Sequence, residues 1–329
     1  MKVNTLTIST LIIAAVFIVI FALFAVLVIS TSKKRKERYR TGATVTSYLM
    51  LLPAVLLAFM FVLLPILYSL GYAFTDYYLL EPQNISFVGF DNFKEVFEEI
   101  GQGGTLYHAL INTLIFVVGV VPLQIGLALL LALFVNKPLK GSKIFKVCFF
   151  APVVISLSVT SMLWRDILSG SETGLLNAFL GLFGAEAHDW LRDPATAMPC
   201  IIVLSAWQGC GYQMLIFLSG LTNIRKELYE AAALDGAGAW TQFKLVTWPG
   251  LRSTFVYILI TVFIGACRIL TQPMLLTGYQ DHTVTLSYYM YQTGYRDRWV
   301  GLSSAVALLM TIVIGTITLI QRRLFREKD

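Results

Sequence analysis

Apolar residues along this chain gather into long runs separated by short polar stretches. Seven runs stand out, at about 7–30, 48–74, 107–135, 146–168, 196–221, 253–277 and 301–321. They approach or exceed the ~20 residues an α-helix needs to cross a hydrocarbon core, and none shows the ~10-residue alternating segments of a membrane β-barrel. The pattern predicts an all-α, polytopic membrane protein with about seven transmembrane helices. The first run starts just after Lys2 and reads as a retained anchor helix. It is longer than the apolar part of a signal peptide, no small-residue cleavage pattern follows it, and SKKRKERYR follows as a stop-transfer signal. Residues 1–40 are then an anchor helix with a basic linker, and 41–329 form the main transmembrane domain.

Composition agrees. Hydrophobic residues make up 57% of the 329 and charged residues 13%, against about 25% charged in soluble domains. The net charge of +6 would suggest nucleic acid in a soluble protein. Here the basic residues follow the membrane. The segment 33–40 carries six Lys/Arg, 136–146 four, 222–252 four and the tail from Gln321 four. The intervening loop 75–106 carries only Lys94 against six carboxylates, 169–195 only Arg192 against four, and 278–300 has two basic residues. This alternation places the N-terminus outside and the C-terminus in the cytoplasm, as an odd number of spans requires. The bilayer, not nucleic acid, is the expected partner. In the loop 75–106, FVGFDNFKEVFEEI suggests a short helix at the outer surface, with Tyr77, Tyr78, Phe87 and Phe90 as an interfacial aromatic belt.

Enzymatic and metal chemistry find little support. There is no phosphate-binding G-x-x-x-x-G-K-[ST] loop, no H-E-x-x-H and no G-x-S-x-G elbow. His108, His188 and His282 are far apart, and Cys148, Cys200, Cys210 and Cys267 lie in or beside apolar runs without metal-ligand spacing, which suits small core residues. No cofactor is expected.

The 222–252 segment is unlike its neighbours. In NIRKELYEAAALDGAGAWTQFKLVTWPG, Asn223 can cap a helix start. Glu227 and Glu230 fall early in that helix, where the dipole favours carboxylates. Ala231 to Ala233 are strong helix formers without bulk, and Gly236 after Asp235 can take the left-handed conformation that ends it. A second short helix can run through Trp240 to Val246, with Pro249 stopping it. A lipid-surface helix would place Leu, Phe and Lys on opposing faces. A bent hairpin with a smooth alanine face instead suits docking to a soluble partner.

EAAALDGAGAWTQFKLVTWP, Glu230 to Pro249, resembles the EAA motif of permease subunits of binding-protein-dependent ABC importers. The matching positions are Glu230, Ala231, Ala232, Asp235, Gly236, Ala237, Phe243 and Pro249, while Arg225 stands where relatives often have proline. ILTQPMLLTGYQ resembles the segment after the fifth core helix of sugar permeases of the maltose and glycerol-phosphate type. The resemblance covers about 48–325. It implies a six-helix type I importer core plus the extra N-terminal helix, in the inner or plasma membrane of a bacterium. It also implies partners: a second homologous permease, two ABC ATPase subunits that carry out ATP hydrolysis, and an extracytoplasmic solute-binding protein. The EAA hairpin would be the coupling helix seated in an ATPase cleft.

Polar residues inside spans point to a solute path. Ser205, Gln208 and Tyr212 share a face of the fifth run, with Gly209 beside them. Thr261, Gly265, Arg268 and Gln272 share a face of the sixth. In maltose-type relatives the matching helices line the sugar cavity, and the matches to Gly209 and Tyr212 touch sugar. The matches to other contacting positions, Val262 and Ala266, are apolar here. Helix–helix packing by small and polar residues is the alternative for Ser205, Gln208 and Gly209. Arg268 falls two or three residues from the middle of its expected span, where a charge costs about 2.5–3.5 kcal/mol even on insertion scales, so an acidic partner, backbone carbonyls or an anionic solute should offset it. The expected solute is an oligosaccharide, with an acidic saccharide or polyol phosphate as the second reading. An ion-coupled carrier or channel subunit would be expected to place carboxylates within its spans, and Asp166, at an outer end beside Arg165, is the only one here.

Overall fold

In lipid, a helix satisfies its own backbone N–H and C=O groups, and apolar runs of this length accordingly fold as helices. The computed structural model describes residues 41–136 and 141–325. The anchor expected at 7–30 and its basic linker lie outside the described residues. Helix α1 (Thr41–Ala58) passes through a π-helical turn, Phe59–Leu63, into α2 (Leu64–Tyr72). Then come α3 (Asp91–Gly101), α4 (Thr105–Asn136), α5 (Ser142–Val154), α6 (Leu157–Ile167), α7 (Leu175–Gly181) and α8 (Ala197–Thr222). The hairpin helices α9 (Lys226–Leu234) and α10 (Ala239–Gln242) lead through a second π turn, Phe243–Thr247, into α11 (Trp248–Cys267). Helices α12 (Thr271–Leu276), α13 (Leu286–Tyr291) and α14 (Val300–Leu324) complete the described chain. Among the described residues, five helical stretches are long and apolar enough to cross a membrane, or six if the bent pair α5–α6 is one span.

Two units part at Tyr68. The first, an apolar helix, exposes Met50, Leu57, Phe61 and Ile66. The second is built on α4 packed along α8, with α11 against both. Phe116, Val120 and Ile125 of α4 bury against Ile201, Leu204, Met214 and Phe217 of α8, and Leu251 and Ile258 of α11 join the same core. Lipid tails are as apolar as these side chains, so close approach at small residues holds such a bundle together. Ala128 and Ala132 are fully buried, and a Cβ on Gly119 would run into the Ile202 side chain.

The end of the second unit nearest α3 is held by polar bonds to backbone. The short helix expected in the 75–106 loop is α3, which buries Asn92, Phe93 and Val96. The Asn92 amide donates to the carbonyls of Ala73 (2.9 Å) and Thr75 (2.8 Å). The Glu99 carboxylate accepts from the Leu106 N–H at the start of α4 (3.0 Å) and from the Tyr289 hydroxyl on α13 (2.6 Å). Burial first, and then that bond to Glu99, push the Tyr289 phenol well above its usual range. Asn112 donates to the carbonyls of Asp281 (2.7 Å) and Val284 (2.9 Å). Of the aromatic belt, Tyr78 packs its ring on Trp299 (4.8 Å), while Phe87 and Phe90 are exposed.

Several boundaries differ from the sequence expectation. The run 146–168 is two helices, α5 and α6, meeting at 97°. Ile155 and Ser156 between them are extended (ψ 134° in each), and Pro152 upstream removes one helical donor. Asn223 caps no helix start: its N–H bonds the Gly220 carbonyl at the end of α8 (3.2 Å), and α9 begins after Arg225. Pro249 does not stop the second hairpin helix but sits in the first turn of α11. The π turn just before it widens the helix where a proline would otherwise clash with the carbonyl one turn back, and the same device precedes Pro65. The run 253–277 ends as a helix at Cys267. Of the cysteines, Cys210 and Cys267 are buried and Cys200 partly so, whereas Cys148 is exposed rather than in the core.

Candidate functional site

Helices α4, α8 and α11, the α5–α6 break and the α11–α12 turn enclose a cavity of about 660 Å³. Ser205, Gln208 and Gly209 of α8 reach it, as do Thr261 and Gly265 of α11 and Arg268 and Gln272 just beyond. Tyr212 does not line it and is half-exposed elsewhere on α8. The lining face of α8 passes from Gly209 to Gln213, one helical turn on, leaving Tyr212 about 100° short of it.

Two lining residues were not anticipated, Gln124 of α4 and Gln213 of α8. Gln124 was readable as the one amide inside LIFVVGVVPLQIGLALLLALFV. Its partner in sequence is Gly209, since a Cβ there would occupy the space of the Gln124 amide. Gly265 has the opposite role: a Cβ there would meet nothing within 4 Å, so its hydrogen keeps the cavity wide.

The hydroxyls of Ser205 and Thr261 donate to their own helices, at Ile201 (2.7 Å) and Tyr257 (2.9 Å), and offer lone pairs to anything else. Gln208 reaches over the α5–α6 break with long bonds to the Ile155 carbonyl and Thr160 hydroxyl, both 3.4 Å. Arg268 is exposed and is the one charged residue of the lining. It stands at the C-cap of α11 (φ −97°, ψ 17°), just past the apolar helical stretch Ala239–Cys267. A helix end lining a cavity is where membrane proteins place such groups.

At the α9–α10 hairpin, nothing on α9 is buried. Glu230, Ala231 and Ala233 are exposed, and Leu234 is 89% exposed. Gly236 follows the Asp235 C-cap with φ +76°, and the N–H groups of Gly236 and Ala237 bond the carbonyls of Ala233 (3.0 Å) and Ala232 (2.9 Å). This is a left-handed helix stop. Tyr229 bonds Thr247 (2.9 Å), and Gln242 donates to the Ala237 carbonyl (3.0 Å), so the bend is braced on both sides. Trp240 stacks on Phe243 (5.5 Å) yet stays 74% exposed.

Comparison with known proteins places this architecture. Residues 104–328 match the family model described as binding-protein-dependent transport system inner membrane component. The arabinooligosaccharides transport system permease protein AraP of Bacillus subtilis is 34% identical over 84% of this chain and 87% of its own length. The lactose transport system permease protein LacF of Rhizobium radiobacter is 31% identical over 91% of this chain and 99% of its own. Among solved structures, a chain of a bacterial alginate ABC transporter in complex with alginate pentasaccharide-bound periplasmic protein superposes with a TM-score of 0.75, at 24% identity over 88% of this chain and 98% of that one. At that identity the likeness speaks for the fold. The family match spans well over half the chain and includes both the hairpin and the cavity helices α8 and α11, so the chain belongs to the inner-membrane permease components of binding-protein-dependent ABC importers.

Proposed function

We propose that this chain imports a carbohydrate, an oligosaccharide, as one of two homologous permease subunits, and that the α9–α10 hairpin couples it to a separate pair of ABC ATPases. The observation that carries the solute class is the cavity lining. Gln124, Gln208, Gln213 and Gln272 bring amides, each both donor and acceptor, and Ser205 and Thr261 add hydroxyl oxygens. A polyol needs such two-way partners. With no carboxylate in the lining, a cation would find no counter-charge. AraP and LacF, named for arabinooligosaccharides and lactose, support the same class. Gly209, Gly265 and Arg268 complete the path. Tyr212 would join only if α8 turned.

The coupling reading rests on a surface. Glu230, Ala231, Ala232, Asp235, Gly236 and Ala237 form a protruding, small-residue bend with Leu234 and Trp240 bare beside it, the shape a cleft in another protein accepts. A solute-binding protein would dock at the opposite, α3 end. Purification of the tagged chain from its own host should bring down an ATP-hydrolysing subunit and a second permease. Recovery of the chain alone, with no ATPase activity and no saccharide uptake lost on its deletion, would remove this reading.

The orientation follows from charge. Lys143, Lys146, Arg225, Lys226, Lys244, Arg252, Arg322 and Arg323 all fall at the α9 end of their helices, which the basic-side rule makes cytoplasmic. Reporter fusions at residue 3 and at residue 329 should report opposite compartments, extracytoplasmic and cytoplasmic. Two cytoplasmic signals would mean that the 7–30 run does not cross.

A further inference from the structure

We propose that the saccharide carries a carboxylate, as a uronate does, and that Arg268 selects it. This rests on the reading of the chain as a carbohydrate permease and narrows its substrate class. The cavity holds one guanidinium and no carboxylate among its lining residues. Among the described residues Arg268 makes no ion pair. The carbonyls of Gly265 and Ala266 accept from the N–H groups of Arg268 and Ile269 (3.2 and 3.3 Å), and the Ile269 carbonyl accepts from the Thr285 hydroxyl (2.7 Å). The guanidinium, exposed and without an ion pair among the described residues, is a donor fork among the cavity lining residues.

Charge count sets the anion. Arg presents parallel N–H groups that match a carboxylate bidentately. A phosphate monoester carries about −1.5 to −2 at neutral pH, and with Arg268 the one charged residue of this chain's lining, about −0.5 to −1 of that would be left for the second permease to offset. A carboxylate of charge −1 is neutralised by Arg268 alone. Gln272 and Thr271, one turn further along the chain and also in the lining, are placed to take neighbouring ring hydroxyls.

The test uses the assembled importer in detergent, without its binding protein, and three trisaccharides differing only in the terminal sugar: glucose, glucuronate and glucose 6-phosphate. Saturation-transfer NMR with competition ranks their affinities. The glucuronate-capped sugar should bind at least tenfold tighter than the glucose-capped one, and tighter than the phosphate. Arg268→Gln should erase that preference, and Arg268→Lys should keep part of it, since charge remains but the fork is lost. If Arg268→Gln does not assemble, the wild-type complex still decides: raising salt from 0.05 to 0.5 M should weaken the glucuronate-capped sugar alone. Equal binding of neutral and uronate sugars, or a phosphate that binds tightest, overturns the inference and leaves carbohydrate transport standing. No binding of any of the three, together with no saccharide uptake by the complete system, overturns the carbohydrate reading itself.

Discussion

Gly236→Val is expected to cut saccharide uptake by the assembled importer more than tenfold while leaving the subunits together. Gly236 has φ +76° with nothing within 4 Å of where a Cβ would stand. Space is not the obstacle; the backbone is. A left-handed conformation costs an ordinary L-residue about 1–2 kcal/mol, and more for one branched at Cβ. The hairpin can shed that strain by giving up the bonds from Gly236 to Ala233 and from Ala237 to Ala232, which lets α9 and α10 swing apart. The bundle itself is untouched, because no residue of α9 or α10 is buried. Uptake and saccharide-stimulated ATP hydrolysis should fall together, with normal recovery of all subunits on purification. Gly236→Asn, a residue that tolerates this conformation, should retain most activity. Full uptake in Gly236→Val would falsify the coupling role of this bend.

That hairpin was the most legible part of the molecule. Its helix-forming alanines, the Asp235–Gly236 stop and its place between two apolar runs were all local signals, and the left-handed glycine is where the sequence puts it. The spans were legible as apolar lengths, and α4, α8 and α14 begin and end within a few residues of the runs that announce them. What hydropathy could not read were the interruptions. Ile155 and Ser156 leave the helical region inside an apolar stretch, and α11 ends at Cys267 although ILTQPMLL continues as if it were a span. An average over hydrophobicity is blind to a break that is satisfied by packing, as where Gln208 reaches the Ile155 carbonyl. Pro249 misled in the other direction, because the π turn that accommodates it leaves no mark in composition. Gln124 and Gln213 fall outside the faces that a helical period defines, one helix at a time, at Ser205, Gln208 and Tyr212 and at Thr261, Gly265, Arg268 and Gln272. A cavity is a property of several helices, and the glycine at 209 gains meaning only once Gln124 lies across it.

The close approach of α5 to α8 gives the other large effect. A Cβ on Gly211 would overlap the backbone carbonyl of Phe149, with the Cα of Phe150 at 3.1 Å. Both neighbours are main chain, so no side chain can rotate out of the way, and α5 as a whole must move. Overpacking of this kind costs about 1–3 kcal/mol, and valine at this position should reach the upper part of that range. Gly211→Val is therefore expected to lower the thermal midpoint of the solubilised complex by several degrees and to reduce its yield. It should also weaken uptake, because α5 leads directly into the Ile155 break that lines the cavity. Two controls separate packing from helix propensity. Gly126 in α4 and Gly315 in α14 have nothing within 4 Å of an added Cβ, so alanine there should be neutral or stabilise by up to about 1 kcal/mol. Gly209→Ala forms an intermediate case: its obstacle is the Gln124 amide, the end of a flexible side chain that can turn aside. It should leave the melting midpoint near wild type and alter saccharide affinity instead. If Gly211→Val melts like the wild type, α5 does not sit against α8 in the membrane as it does here.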